Sequence, residues 1–172
     1  NCEKKKKIVS VGRLSKEKGH KYLVEAFAKI RDTNRELSLV GAGSEATGYT
    51  NEKESLERLA NKLNVRERIY FHGHLNDFSL QLSEAQIFVL PSLTEGFPNA
   101  LIEAMGFPLA CISTNFIGAP SEIITNGVNG FLYDPKDVNN LASTLNLLID
   151  NPDLRNKIAS EGFKIRETLA FD

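Results

Sequence analysis

Two cysteines in 172 residues, Cys2 and Cys111, are too few for a disulfide framework and show no metal-ligand spacing, which fits a reducing compartment. No stretch reaches the roughly 18 consecutive apolar residues of a membrane span, and no signal peptide is visible. An excess of one charge is lacking too: 21 Lys and Arg stand against 22 Asp and Glu. A protein built mainly to hold nucleic acid or anionic membrane would be basic, so this balance argues against both as the chain's main task, leaves room for a local basic patch, and makes nucleic acid no expected partner. The run Lys4 to Lys7 reads as a solvated lead-in to the first strand. No internal repeat or low-complexity tract appears. What remains is 41% hydrophobic and 25% charged residues, a soluble globular composition long enough for one domain with a core.

Strand-like and helix-like segments alternate along the whole chain. "KIVSVG" from Lys7 is a short β-branched run ending in glycine. The next segment, "GHKYLVEAFAKIRD", spaces Tyr22, Leu23, Ala26, Phe27 and Ile30 as a helix does, over residues 19–32. "ELSLVGAG", "RIYFHG", "QIFVLPS", "LACIST" and "GFLYD" read as further strands. The continuous apolar centre of "QIFVLPS" suits a strand buried on both faces. Between them lie a charged amphipathic helix with Leu56, Leu59, Ala60 and Leu63 on one side, and a short helix with Asp77 as its N-cap. Another helix opens at Pro98 and Asn99, and "APSEIITNG" spans 119–127. Two helices close the chain, over 137–151 and from Pro152 to the end. This pattern predicts a single α/β domain over 1–172: a doubly wound, Rossmann-like parallel sheet of about six strands with helices on both faces. Ligands of such sheets sit beyond the carboxyl ends of the strands, so the residues after each strand carry the interest.

After the first strand, Gly12 is followed by Arg13, Lys18 and Gly19, with a helix directly behind. Cations beside a helix N-terminus can hold an anion, although an ordinary solvated loop has the same spacing. After the second strand, "GAGSEA" matches the dinucleotide fingerprint from Gly41 to Ala46. It sits on the wrong strand, no helix opens at once, and His72 stands where a ribose-binding acid would belong. His72 and His74 lack the partners a zinc site needs.

The fourth strand leads into "LPSLTEGFPNALIEAM", which carries Glu95 at the mouth of a helix and Glu103 a turn inside it. An apolar helix buries a carboxylate only when it is paired or hydrogen-bonded. One reading is a capping acid with a core-edge salt bridge. The other is two acceptors for hydroxyl groups, flanking amides that hold a phosphate, which together suit a phosphorylated sugar. An acid/base pair for hydrolysis is a weaker rival, because nothing supplies a second face for water.

Taken in order, "VGRLSKEKG", "LVGAGSE", "IYFHG", "FVLPSLTEGFPNALIEAM" and "PSEIITNGVNGFLYDPKD" resemble the C-terminal, donor-binding half of a GT-B glycosyltransferase of the family 4, or group 1, type. The resemblance covers nearly the whole chain. It implies transfer of a sugar, with retention of configuration, from a nucleotide-diphosphate sugar (a UDP-sugar being the expected donor) to a glycan, lipid or other acceptor.

The resemblance also implies roles. Arg13 and Lys18 would grip the diphosphate, and Glu95 would bind the donor sugar near the reacting carbon. Glu103 would bind the ribose, and Gly96, Phe97, Pro98, Asn99 and Ala100 would present backbone to the phosphates and sugar. Gly12 would let the backbone approach closely. Gly41 and Gly43 would line the nucleotide side, with His72 and Gly73 around the base. No metal or other cofactor is implied. The implied partners are the nucleotide sugar, an acceptor and an N-terminal domain of the same enzyme that this chain does not include. The implied location is cytoplasmic, any attachment at the membrane resting on that domain. Alone, the chain is expected to bind donor but to be inactive in transfer. Alternatives with the same residues are a non-catalytic sugar-nucleotide-binding module or another GT-B enzyme such as an epimerase. One departure is "AMGFPLACIS", where Gly106 and Pro108 are displaced toward the helix and should alter its exit.

Overall fold

The computed structural model of the chain describes residues 4–43, 52–116 and 119–168. Strands β1 (Lys7–Val11), β2 (Glu36–Val40), β3 (Ile69–Phe71), β4 (Ile87–Leu90), β5 (Ala110–Thr114) and β6 (Phe131–Tyr133) form one sheet in the order β3-β2-β1-β4-β5-β6. Every neighbouring pair is parallel. This is the doubly wound arrangement, in which the winding reverses between the two central strands. Here β1 pairs β4 through Ile8↔Ile87 and Val9↔Phe88. The helices are α1 (His20–Phe27), α2 (Glu52–Lys62), α3 (Ser79–Glu84), α4 (Asn99–Met105), α5 (Pro120–Ile123), α6 (Val138–Asp150), α7 (Pro152–Phe163) and α8 (Ile165–Thr168).

Because strand side chains alternate, each run of apolar residues feeds two cores. Ile8, Leu37, Leu39, Ile87, Val89 and Ile112 face one layer, closed by Leu23 and Phe27 of α1, Leu56 of α2 and Leu141, Leu145 and Leu148 of α6. Val9, Phe88, Leu90 and Cys111 face the other, closed by Leu82 of α3 and Leu101 and Met105 of α4. All four residues of β4 are buried, as expected of a strand covered on both sides. Each such side chain contributes about 1.5–3 kcal/mol on burial. Among the described residues no helix is long and apolar enough to cross a membrane.

Some element boundaries differ from the sequence expectation. The first helix ends at Phe27 rather than near residue 32, although Ile30 is still buried. The chain leaves it through tighter turns, Lys29 N to Ala26 O and Ile30 N to Phe27 O, and Asp32 then takes the Asn34 amide. The segment expected over 119–127 is a four-residue helix, α5. Its continuation is stopped by Asn129, whose side chain donates to Ile123 O and accepts from Thr125 N. The last helix breaks at Lys164 into α7 and α8. Asp77 is not the N-cap expected of it: that position falls to Phe78, which has no capping side chain, and Asp77 lies one residue earlier, where its Oδ1 accepts the Ser79 amide at 2.9 Å. The exit of α4 runs through Gly106 and Pro108, and Leu109 N turns back to Phe107 O before β5 begins. Cys2 and the part of the glycine fingerprint from Ser44 to Ala46 lie outside the described residues.

Candidate functional site

Where β1 and β4 part, the two loops that follow them are fastened together. Gly19 adopts φ 69°, which favours glycine. A Cβ there would stand 2.0 Å from Pro91 O, so only glycine lets the backbones approach this closely. Two residues earlier, Glu17 O accepts the Leu93 amide at 2.8 Å. Between these contacts, Lys18 Nζ reaches Glu95 Oε1 at 2.8 Å, and Ser92 Oγ donates to the same oxygen at 2.9 Å. The Ser92 carbonyl in turn accepts from Thr114 Oγ1 at the end of β5. Glu95 is 9% exposed at its side chain and Lys18 23%. The pair is therefore half-desolvated, and its geometry is better defined than that of an ordinary surface bridge.

Arg13 behaves differently. It meets Glu17 at 3.3 Å with both side chains about half exposed, a contact that costs little to exchange for another anion. Arg13, Gly12, Gly41 and Gly43 share a cavity of about 400 Å³ with His74, Leu75 and Phe78 at the carboxyl ends of β1, β2 and β3. The strand ends around it are tied by Gly12 N to Val40 O, Gly41 N to Gly73 O and His72 N to Leu39 O. Gly41, at φ 146°, brings its α-carbon so close to Gly12 O that a Cβ would lie 1.9 Å away. The polar glycine rim and the apolar wall of Leu75 and Phe78 suit a flat, partly polar ring bound next to a charged group.

The His72 ring is turned to Ser38 Oγ at 3.1 Å, while His74 pairs with Asn76 Oδ1 at 3.1 Å. Burial, with Lys7 adding to it, pushes the His72 pKa down. Among the described residues no group of three or more His, Cys, Asp or Glu could hold a metal ion.

Beyond Glu95, Gly96, Phe97 and Asn99 are exposed and Pro98 is buried at the start of α4. Asn99 N donates to Phe97 O, while Leu101 and Ile102 share Pro98 O; the opening amides of such a turn include some without acceptors of their own. Ala100 follows in that turn, half-buried. Glu103 is exposed, and among the described residues its carboxylate makes no hydrogen bond or ion pair, while its backbone carbonyl accepts from Gly106 N. The core-edge salt bridge that one reading of its helix allowed is therefore absent there. The helix turns Glu103 outward, while Leu101, Ala104 and Met105 fill the core.

Sequence reasoning missed three residues. Ser92 and Thr114 support Glu95, as above. His20, the first residue of α1, is buried to 1% exposure and its Nδ1 has no hydrogen-bond partner. Burial, reinforced by the Lys18 ammonium, holds its pKa at about 4, so the ring is neutral at pH 7. Only its place directly after Lys18-Gly19 could have drawn notice to it.

The family model described as "Glycosyl transferases group 1" matches residues 1–165. An uncharacterized glycosyltransferase of Haemophilus influenzae is 32% identical over 95% of this chain and 47% of its own length. Anabaena Alr3699/HepE, solved in complex with UDP, superposes with a TM-score of 0.88 at 25% identity, over 94% of this chain and 44% of that one. The C-terminal domain of a glycosyl transferase group 1 family protein (LpcC) from Francisella tularensis superposes at 0.86 with 29% identity, over 95% of this chain and 85% of that domain. The chain thus spans about half the length of the curated relative and of the Anabaena protein, and most of the isolated Francisella domain.

Proposed function

This chain belongs to the group 1 glycosyl transferases, and from that premise we propose that it is the donor-binding domain of a GT-B enzyme that transfers a sugar, with retention, from a nucleotide-diphosphate sugar. The observation that carries this reading is the fastening of Lys18 to Glu95 across the β1/β4 switch, with Arg13 exposed beside it. In an open parallel sheet that crevice is where a ligand binds.

In this reading the nucleoside lies in the cavity bordered by Gly41, Gly43 and Gly12. Its diphosphate draws Arg13 away from Glu17 and shares Lys18 with Glu95. The two cations offset the charge that grows on the leaving diphosphate as the glycosidic bond breaks, the largest electrostatic demand of the reaction. Glu95 accepts a hydroxyl of the transferred sugar near its reacting carbon. Exposed Glu103 is available to the ribose, and the backbone of Gly96 to Ala100 to the phosphates and sugar. A UDP-sugar is the proposed donor, a reading supported by the UDP held by the Anabaena protein. The acceptor is a glycan or lipid in polysaccharide or glycoconjugate assembly, held by an N-terminal domain of the same cytoplasmic enzyme. Without that domain the cleft has one wall, which neither orients an acceptor nor excludes water, so transfer by this chain alone should be negligible.

Calorimetric titration of the chain with UDP, GDP, ADP and NAD, with and without magnesium, tests the reading. One nucleoside diphosphate should bind with a dissociation constant on the order of 10–1000 μM, independent of magnesium. Binding of NAD alone would contradict it.

A further inference from the structure

We propose that Ser92 is a positioning residue for Glu95: with Lys18 it occupies one carboxylate oxygen, so that the other is the single acceptor offered to the donor sugar. The inference rests on the donor-site reading above, to which it adds a specific residue and oxygen.

Both donors converge on Oε1, Lys18 Nζ at 2.8 Å and Ser92 Oγ at 2.9 Å. Oε2 has no hydrogen-bond partner among the described residues, yet it is not among the polar atoms sealed from solvent. A half-desolvated carboxylate with two donors on one oxygen keeps its acceptor capacity on the other. Ser92 is suited to this task because it is itself fixed. It is 1% exposed, its carbonyl accepts from the fully buried Thr114 hydroxyl, and the next amide is held by Glu17 O. Lys18 is a poorer anchor, because a diphosphate competes for its ammonium. Once a nucleotide is bound, Ser92 is the donor that stays on Oε1 and keeps Oε2 aimed. A single free oxygen recognises one hydroxyl rather than clasping a vicinal pair with both.

The test uses the chain itself with Ser92→Ala, Glu95→Ala and the double variant, titrated with UDP and with UDP-glucose. Ser92→Ala should weaken UDP-glucose about tenfold, the scale of one hydrogen bond to a charged group, and leave UDP within about twofold. In the Glu95→Ala background, Ser92→Ala should change neither ligand further. A general disturbance of the loop would instead weaken UDP and UDP-glucose alike, or add to the Glu95→Ala loss; either result overturns the proposal. Crystal structures of Lys18→Ala and of Lys18→Ala/Ser92→Ala decide it independently of any nucleotide: with the lysine's bond to Oε1 gone, the Glu95 carboxylate should keep its present position in the first and leave it or split between rotamers in the second. Glu95 unmoved in the second, or already displaced in the first, overturns the proposal. Failure of the wild type to bind either probe counts against the donor-site reading, while the crystallographic result still judges Ser92.

Discussion

The amino ends of the strands and their carboxyl ends both gather cations, but the two groups are bonded to different things. At the amino ends, Lys7 meets Glu84 at 3.0 Å and Arg35 donates to Gln86 Oε1 at 2.7 Å. Arg155 donates to Leu148 O and Ile149 O at the end of α6, where a cation also suits the helix dipole. Arg35 and Arg155 are 3% and 9% exposed, and burial pushes both pKa values down. At the carboxyl ends, Arg13 is exposed beside one solvated acid, and Lys18 shares a carboxylate with a serine. Counting charges does not separate scaffold from site. The separation comes from what each donor is already bonded to, and from what its removal would leave unmet.

The comparison can be broken at four points. The largest effect belongs to the backbone that lets the carboxyl-end loops meet. Gly19→Ala and Gly41→Ala force a Cβ to 2.0 Å from Pro91 O and 1.9 Å from Gly12 O, and each should lower the urea-unfolding free energy by more than about 3 kcal/mol. Next come matched deletions at the two ends. Arg155→Ala strips the Leu148 and Ile149 carbonyls of their donor and should cost about 2–3 kcal/mol of stability with nucleotide affinity unchanged. Lys18→Ala should lower nucleotide affinity at least tenfold, and because Glu95 Oε1 keeps the Ser92 hydroxyl its stability loss should stay below that of Arg155→Ala, at about 1–2 kcal/mol. Equal stability losses at the two ends would erase the distinction.

Third is a pH effect at the carboxyl end. The folded pKa of His20 is about 4, below the roughly 6.5 of an unfolded chain. Between these values the unfolded chain binds a proton that the folded one refuses. The contribution is therefore fully present above about pH 6.5 and is lost as pH falls toward 4. Unfolding free energy should drop by about 2 kcal/mol more between pH 7.5 and 5 in the wild type than in His20→Gln. The smallest effect is expected of Arg13→Ala, within about 0.5 kcal/mol in stability, with a loss only in nucleotide affinity.

Strand and helix alternation made the sheet legible from sequence, because each apolar run is long enough to serve two cores. The strand order itself is a tertiary property; the rule that parallel sheets bind ligands beyond their carboxyl ends singled out that edge as the candidate site without it. Arg13, Gly12, Gly41 and Gly43 were legible as one region and do share a cavity. Lys18 and Glu95, 77 residues apart, were singled out separately, and the fold joins them. Of the two readings open for Glu103, the core-edge salt bridge does not form among the described residues: apolar neighbours on a seven-residue helix do not bury every position, and this one points outward. Ser92 and Thr114 were passed over, since a serine and a threonine at strand ends are common; the Ser92–Glu95 bond spans only three residues, while the Thr114–Ser92 bond exists only once β4 and β5 are paired.

The most direct measurement is amide chemical-shift mapping of the chain as UDP is added. The account predicts shifts confined to Gly12–Gly19, Gly41–Gly43, His72–Phe78 and Glu95–Glu103, the segments at the strand carboxyl ends, with Lys7, Arg35 and Arg155 unmoved. Shifts centred on the amino ends around Arg35 and Arg155, with the carboxyl-end loops silent, would contradict it.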